Sequence, residues 1–348
     1  MFTQLVGNTQ AKHTLKRLIA NGRLPNSLLF TGPSGVGKRQ FALETARTVL
    51  CRDKNGDEAC GVCILCSHMA DFVIPTDPND NNKDQFKRVF FGGSRDVGLV
   101  VPYKNFILVD ASRDLEREVN FRPSDGTARF FIIDDVDRMN ENAANAILKT
   151  LEEPPSTSYI FLITSRPDSL LPTIRSRCQT LRFAPVATQE IEDYLVHERA
   201  LKHHEAALAA RLARGSVGRA VHLNVDQFCK QRERMFEVVR HTIATGERAA
   251  LLKISEELND AKNKDAFSQN IDILESLIHD VWTVAASSDG SRVTNTDLEN
   301  ELQRLAGDAV PQRVTEWLKL IEEMRLNFAV NINRKVAADS LFVTMAGA

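Results

Sequence analysis

Ser27-Leu-Leu-Phe-Thr-Gly-Pro-Ser-Gly-Val-Gly-Lys38 is an apolar run that flows into a glycine-rich loop and then into a helical pattern. Gly32, Gly35 and Gly37, with Val36 between the last two, let successive backbone N–H groups turn inward around phosphate oxygens. The helix that follows adds its positive end, and Lys38 adds a point charge. A strand, this loop and a helix in that order form a nucleotide phosphate site. In a magnesium-dependent site the residue after the lysine is Ser or Thr, whose hydroxyl binds Mg²⁺. Here that residue is Arg39, followed by Gln40. Neither replaces an oxygen ligand, and a cation beside Mg²⁺ repels it. The expectation is ATP and Mg²⁺ held weakly if at all, with hydrolysis severely reduced.

Further buried strands are expected at Asn105–Asp110, Arg129–Asp134, Ser158–Thr164 and Gln179–Phe183. They are continuous apolar runs rather than alternating ones, the pattern of a parallel sheet covered on both faces. A helix is expected from about Asn142 to Glu153, stopped by Pro154-Pro155. Beyond about Ala184 the strand signals vanish and helical patterns continue to the end. The reading is an α/β domain with a five-stranded parallel sheet over residues 1–183, a helical domain over 184–225, and a helical C-terminal domain over 226–348. The Asp/Asn-rich stretch Asp77–Asn82 reads as a solvated loop or insertion.

Asp134-Asp135 close the third of these strands, where a nucleoside triphosphatase carries its second acidic motif: one carboxylate for Mg²⁺ and one to orient the attacking water. Aspartate at Asp135 is a methylene shorter than glutamate, a second mark against turnover. The plainer alternative is a set of polar strand-end residues.

The chain carries 44 basic and 46 acidic residues, net charge −2, so any grip on nucleic acid must be local or shared with partners. No run of eighteen apolar residues is present, and the N-terminal segment lacks a signal-peptide pattern. A cytoplasmic home away from membranes is expected. In a reducing compartment the cluster Cys51-x8-Cys60-x2-Cys63-x2-Cys66 points to metal rather than to disulfides. Four thiolates suit tetrahedral Zn²⁺ in a closed, structural site. An iron–sulfur cluster is the rival, but the fourth ligand of its bacterial spacing is missing, with Ala70 in that place. Cys178 and Cys229 read as core residues.

These features together resemble a known family. Val6-Gly7-Asn8, Leu24-Pro-Asn-Ser-Leu-Leu-Phe-Thr-Gly-Pro33, the four cysteines, Asn142-Ala-Ala-Asn-Ala-Ile-Leu-Lys-Thr-Leu-Glu-Glu-Pro-Pro155 and Pro172-Thr-Ile-Arg-Ser-Arg-Cys178 are similar to those of bacterial sliding-clamp loaders of the AAA+ class. The specific motifs span about residues 1–225; beyond them only helical character agrees. The resemblance implies an AAA+ domain with a zinc module, a helical lid and a helical collar. The family contains motor subunits, which hydrolyse ATP, and non-motor subunits of the delta-prime type. Arg39 and Gln40 point to the second kind. So does Gly215-Ser-Val-Gly-Arg-Ala220, where motors place an arginine at the position of Gly218 and this chain has it one place later, at Arg219.

By the same resemblance Arg177 reaches the ATP of a neighbouring subunit, and Thr164 matches the family's first sensor. A local carboxylate partner for Arg177 is the simpler alternative. Arg166, Arg175 and Arg182 would add to a basic surface facing DNA. Implied partners are gamma/tau-like motors and a delta-like subunit, with the sliding clamp and primer-template DNA met through the assembly. Two other readings stand beside this one: an ATPase that tolerates Arg39, and a zinc-dependent nucleic-acid-binding module. The acidic balance, and the lack of aromatic and basic residues interleaved around the cysteines, weigh against the latter.

Overall fold

A computed structural model of the chain describes residues 1–70, 83–124, 126–258, 266–286, 293–328 and 334–347. The stretch Asp77–Asn82 lies outside the described residues. The chain forms two compact units, Met1–His222 and Leu223–Ala348.

In the first unit, α1 (Thr9–Ala20) leads to β1 (Ser27–Thr31), the glycine loop and α2 (Lys38–Leu50). The cysteine segment runs into α3 (Ile64–Ala70). Then come β2 (Phe90–Phe91), β3 (Val97–Val100), α4 (Val109–Val119), β4 (Arg129–Ile133), α5 (Glu141–Glu152), β5 (Ser158–Thr164), α6 (Pro172–Arg175) and β6 (Gln179–Arg182). Helices α7 (Thr188–Arg199), α8 (His203–Leu212) and α9 (Val217–His222) complete the unit.

The sheet order is β2-β3-β4-β5-β1-β6. Five strands are parallel, as expected, and β2 adds a short antiparallel edge against β3. The continuous apolar runs resolve into two faces. Leu28, Phe30, Phe130, Ile132, Phe161 and Ile163 meet α1 and α2 through Leu15, Phe41 and Ala46. Leu29, Phe131, Ile133, Ile160 and Leu162 meet α4 and α5 through Leu115, Ile147 and Leu151. Phe30 stacks on Phe161 with centroids 5.4 Å apart, and Phe183 closes on Phe41 edge-on at 5.0 Å. Burying both faces is what lets every strand position be apolar.

The expected strand at Asn105–Asp110 is not one. The sheet takes Val97–Val100 instead, pairing it with β4, while Val109 and Asp110 open α4. Within the misread run Ile107 is buried but Phe106 is exposed, so the run covers one edge of the core rather than crossing it. Gly98 hid the true strand in the sequence. Its missing side chain is required, because a Cβ there would lie 2.4 Å from Val89 Cγ1.

Helix α5 lies one residue ahead of its expected span. The Asn140 side chain accepts from Ala143 N at 2.9 Å to cap its start. Pro154-Pro155 follow its end, where continuing the helix would cost a backbone bond. At the opposite edge of the sheet from the glycine loop, the buried Arg129 donates to Arg95 O at 2.9 Å and to Glu118 Oε2 at 3.2 Å.

The second unit is helical throughout its described residues: α10 (Val225–Ala244), α11 (Arg248–Leu258), α12 (Ala266–Ala286), α13 (Glu299–Asp308), α14 (Pro311–Phe328) and α15 (Arg334–Gly347). Helix α12 packs on α10, α13 and α14 through Ile271, Leu274, Leu277, Ile278 and Val281, and α15 packs on α11. Among the described residues no helix is long and apolar enough to cross a membrane.

Candidate functional site

Because the five main strands are parallel, their carboxyl ends share one edge, where open α/β sheets hold ligands. Thr31, Asp134 and Thr164 mark that edge, and β1 pairs Thr31 with Thr164. From Thr31 the loop turns back through Gly32, Gly35 and Gly37, all at positive φ. Gly37, at φ 96°, starts α2. Lys38 is buried and folded onto its own loop, donating to Gly32 O at 2.5 Å and Pro33 O at 2.7 Å. Burial lowers its pKa, against the pull of Asp134, Asp135 and Asp137.

Arg39 reaches across to the acidic motif. Its Nη1 donates to Asp134 Oδ2 at 2.9 Å. The guanidinium therefore sits on the carboxylate that a magnesium site would use, from the position where that site would carry its hydroxyl. The residues present do not fit Mg²⁺: one carboxylate is paired with a fixed cation and the oxygen ligand from α2 is missing. Asp135 takes a left-handed conformation at φ 48° and lies 3.4 Å from Arg138 Nε. Burial, then the neighbouring Asp134 charge, raises its carboxyl above the ordinary range.

Thr164 is engaged within the fold. Its hydroxyl donates to Asp137 Oδ1 at 2.7 Å and accepts from Arg166 N at 2.9 Å. Arg166 in turn holds Asp137 Oδ2 with Nε and Nη2 at 2.9 and 2.7 Å. Arg175 and Arg182 share a separate cavity of about 520 Å³ with Ser165 and Asp168.

Helix α9 closes on the tip of the glycine loop. Gly218 N donates to Gly35 O at 2.8 Å. A Cβ at Gly218 would stand 3.4 Å from both Gly35 Cα and Gly35 O, in van der Waals contact with the loop. A cavity of about 430 Å³ remains beside the loop, with Lys38, Arg39, Asp134, Tyr194, Arg199 and His222 in its wall. Gly218 lines it, whereas Arg219 is not part of the lining.

Arg177 follows α6 and turns toward the end of α5. Its Nε donates to Glu152 Oε1 at 2.7 Å, its Nη2 bonds the same oxygen, and its Nη1 donates to Thr173 O at 2.9 Å. The side chain keeps 31% of its surface exposed. The local carboxylate partner weighed from the sequence is thus present.

Cys51, Cys60, Cys63 and Cys66 converge, their four sulfurs all within 4.8 Å of one another. Cys51 and Cys63 are 4.0 Å apart and Cys60 and Cys66 3.9 Å, close to the roughly 3.8 Å that four sulfurs at about 2.3 Å around one Zn²⁺ would show. Backbone amides reinforce the set: Cys60 N donates to Cys51 Sγ at 3.2 Å and Cys63 N to Cys60 Sγ at 3.3 Å. Burial opposes ionisation of Cys63, yet hydrogen bonds from the amides and thiols around it bring its pKa down to about 6. Burial pushes Cys66 up. The donor chemistry and spacing fit one tetrahedral ion.

A family model described as "DNA polymerase III, delta subunit" matches residues 7–187. DNA polymerase III subunit delta' of Bacillus subtilis is 28% identical over 316 residues, covering 90% of this chain and 89% of that one. Its counterpart in Escherichia coli is 27% identical over 346 residues, covering 98% and 92%. The chain belongs to the DNA polymerase III delta' family. Similarity also reaches the DNA polymerase III subunit tau of Bacillus subtilis, at 29% identity over 79% of this chain but only 46% of tau.

For a delta' family member, two features of the site were not legible in the sequence. Asp137 takes up the Thr164 hydroxyl, and Ser216 packs on Gly35. The spacing Asp134-Asp135-x-Asp137 offered a signal for the first. Nothing in the sequence signalled the second, which depends on how α9 folds back.

Proposed function

We propose that this chain, a clamp-loader subunit of DNA polymerase III, works as a stator. It does not hydrolyse ATP itself and presents Arg177 to the nucleotide of an adjacent gamma/tau-like motor while a sliding clamp is opened for primer-template DNA. The observation that carries the non-motor part is the Arg39–Asp134 ion pair. It sets a fixed cation on the acidic motif, and Asp135 and the internally bonded Thr164 add to the impairment. Helices α10–α15 would hold the chain in a ring beside motors and a delta-like subunit.

Glu152 and Thr173 O hold the Arg177 guanidinium in one orientation while leaving it partly exposed. To reach a neighbour's phosphoryl group the fork would exchange these local bonds for phosphate oxygens, where such arginines contribute on the order of 10³ to 10⁵ in rate. The four cysteines would hold one Zn²⁺ that ties the segment between α2 and α3 together, a structural role.

The test is the DNA-dependent ATPase of the assembled loader with Arg177→Ala. The expected result is a loss down to what the remaining sites sustain, and Arg177→Lys should not rescue it, because an ammonium cannot fork. Unchanged ATPase would remove the role of Arg177.

A further inference from the structure

We propose that the hairpin following β3, Tyr103-Lys104-Asn105-Phe106, is a platform for a single strand of nucleic acid, with the Phe106 ring stacked on a base and Lys104 on a neighbouring phosphate. The proposal goes beyond the stator reading and uses no residue of the glycine loop or of α6.

Aromatic and basic residues are not interleaved around the cysteines, but they are in two other segments, Phe86-Lys87-Arg88 and Tyr103-Lys104-Asn105-Phe106. The fold packs these two together. Phe86 is buried, and its ring centroid lies 5.2 Å from that of Tyr103, which roots the hairpin in the core. Tyr103 N donates to Phe106 O at 2.9 Å and Phe106 N to Tyr103 O at 3.1 Å, closing a tight turn. Lys104 at its tip takes φ 52°, the left-handed region that a residue with a Cβ enters at a cost. Arg138 Nη1 braces that tip, donating to Lys104 O at 3.0 Å. The frame is thus ordered before any partner arrives, and it leaves Phe106 with 64% of its surface exposed.

The charges choose the partner. Lys104 Nζ stands over the Tyr103 ring, 5.3 Å from its centroid, and Lys83 and Arg88 are exposed beside the turn that carries Phe86 and Lys87. The acids beside these four cations are Asp84, bonded to Lys87 at 2.6 Å, and Asp110. The balance is positive, in a chain whose net charge is −2. An exposed aromatic face among cations suits a base and its phosphates, and it is tolerant of sequence because every base has a π-face. A duplex keeps its bases stacked inside, so it can meet the cations but not the Phe106 ring.

The test is fluorescence anisotropy of a labelled oligothymidylate, and of a duplex of the same length, titrated with the full chain at about 50 mM salt. The expected Kd for the single strand is roughly 10⁻⁴ M or tighter. Phe106→Ala, its folding checked by thermal melting, should weaken that binding by at least about fivefold and leave duplex binding unchanged. Phe106→Trp should keep the wild-type affinity. Lys104→Gln should reduce the slope of log Kd against log salt by about 0.7, the share of one phosphate on a single strand. No binding of the single strand up to that concentration would overturn the proposal. So would a folded Phe106→Ala that binds it as the wild type does, or one that loses single strand and duplex alike. Unchanged single-strand binding by Phe106→Ala with weaker binding to motor subunits would also overturn it and assign the ring to a protein interface. Each of these results leaves the role of Arg177 untouched, because no ATPase is read.

Discussion

Arg39 Nη1 and Asp134 Oδ2 are joined across 2.9 Å, linking the first turn of α2 to the end of β4. The bond spans the place where a phosphate loop and an acidic motif normally share an ion. An arginine in the place of a hydroxyl thus ties the glycine loop's helix to the acidic pair by an internal ion pair. The backbone that built the site is left intact.

Beside the pair, burial and then the Asp134 charge hold the Asp135 carboxyl above the ordinary range. The folded state therefore binds more protons than the unfolded chain between the ordinary carboxylate pKa and the raised one. Stability contributed by this group falls as pH rises through that window. Asp135→Asn should melt above the wild type at neutral pH, with the difference shrinking as the solution is acidified toward about pH 4. Melting curves across that range check this, and a difference that grows on acidification would contradict it.

Gly35 is fixed by conformation and by contact. Its φ is 76°, and an added Cβ would lie 2.1 Å from Ser216 Oγ. The left-handed backbone alone costs about 1–2 kcal/mol for a residue with a Cβ. Gly35→Ala should lose at least that much in chemical denaturation. Ser216→Gly removes the clash but also the bond its hydroxyl accepts from Arg219 N at 3.2 Å, so Gly35→Ala should cost less in the Ser216→Gly background than in the wild type. If Gly35→Ala costs as much in the Ser216→Gly background as in the wild type, the contact of α9 with the loop is not as described.

Phe161 sits at the centre of β5, fully buried, with Phe30 at 5.4 Å and Phe130 at 5.5 Å between ring centroids. Phe161→Ala should cost about 3–5 kcal/mol. A loss under about 1 kcal/mol in denaturant unfolding would mean that the face shared with α1 and α2 is not the close-packed layer it forms here.

The four sulfurs should hold one zinc per chain, measured by elemental analysis of protein purified without chelator. Cys66→Ser removes a buried ligand and should abolish that zinc and lower the melting temperature. Iron with visible absorbance in place of zinc would revive the iron–sulfur alternative.

The fold was legible wherever an apolar run was long and uninterrupted. Ser27–Thr31 and Ser158–Thr164 occupy the spans read from their residues, and Asn142–Glu153 is displaced by one residue. The reading failed at β3, where four residues containing Gly98 were passed over in favour of the longer apolar run at 105–110. Periodicity cannot separate a strand from a run that covers a core edge and then enters a helix. At the site, spacing identified the loop, the acids and the cysteines, and residue type alone marked Arg39 as foreign. What it could not give was the partner: that Arg39 lands on Asp134, Thr164 on Asp137 and Arg177 on Glu152 follows from strand register and helix placement, which bring together residues 25 to 95 positions apart.

ATP turnover by the purified chain, alone and then mixed with motor subunits and primed DNA, tests the central claim most directly. The account predicts no turnover by the chain alone and a stimulation of the mixture that is lost with Arg177→Ala. Turnover by the chain alone that disappears in Lys38→Ala would contradict it, showing that Arg39 does not silence the site and that the subunit is a motor.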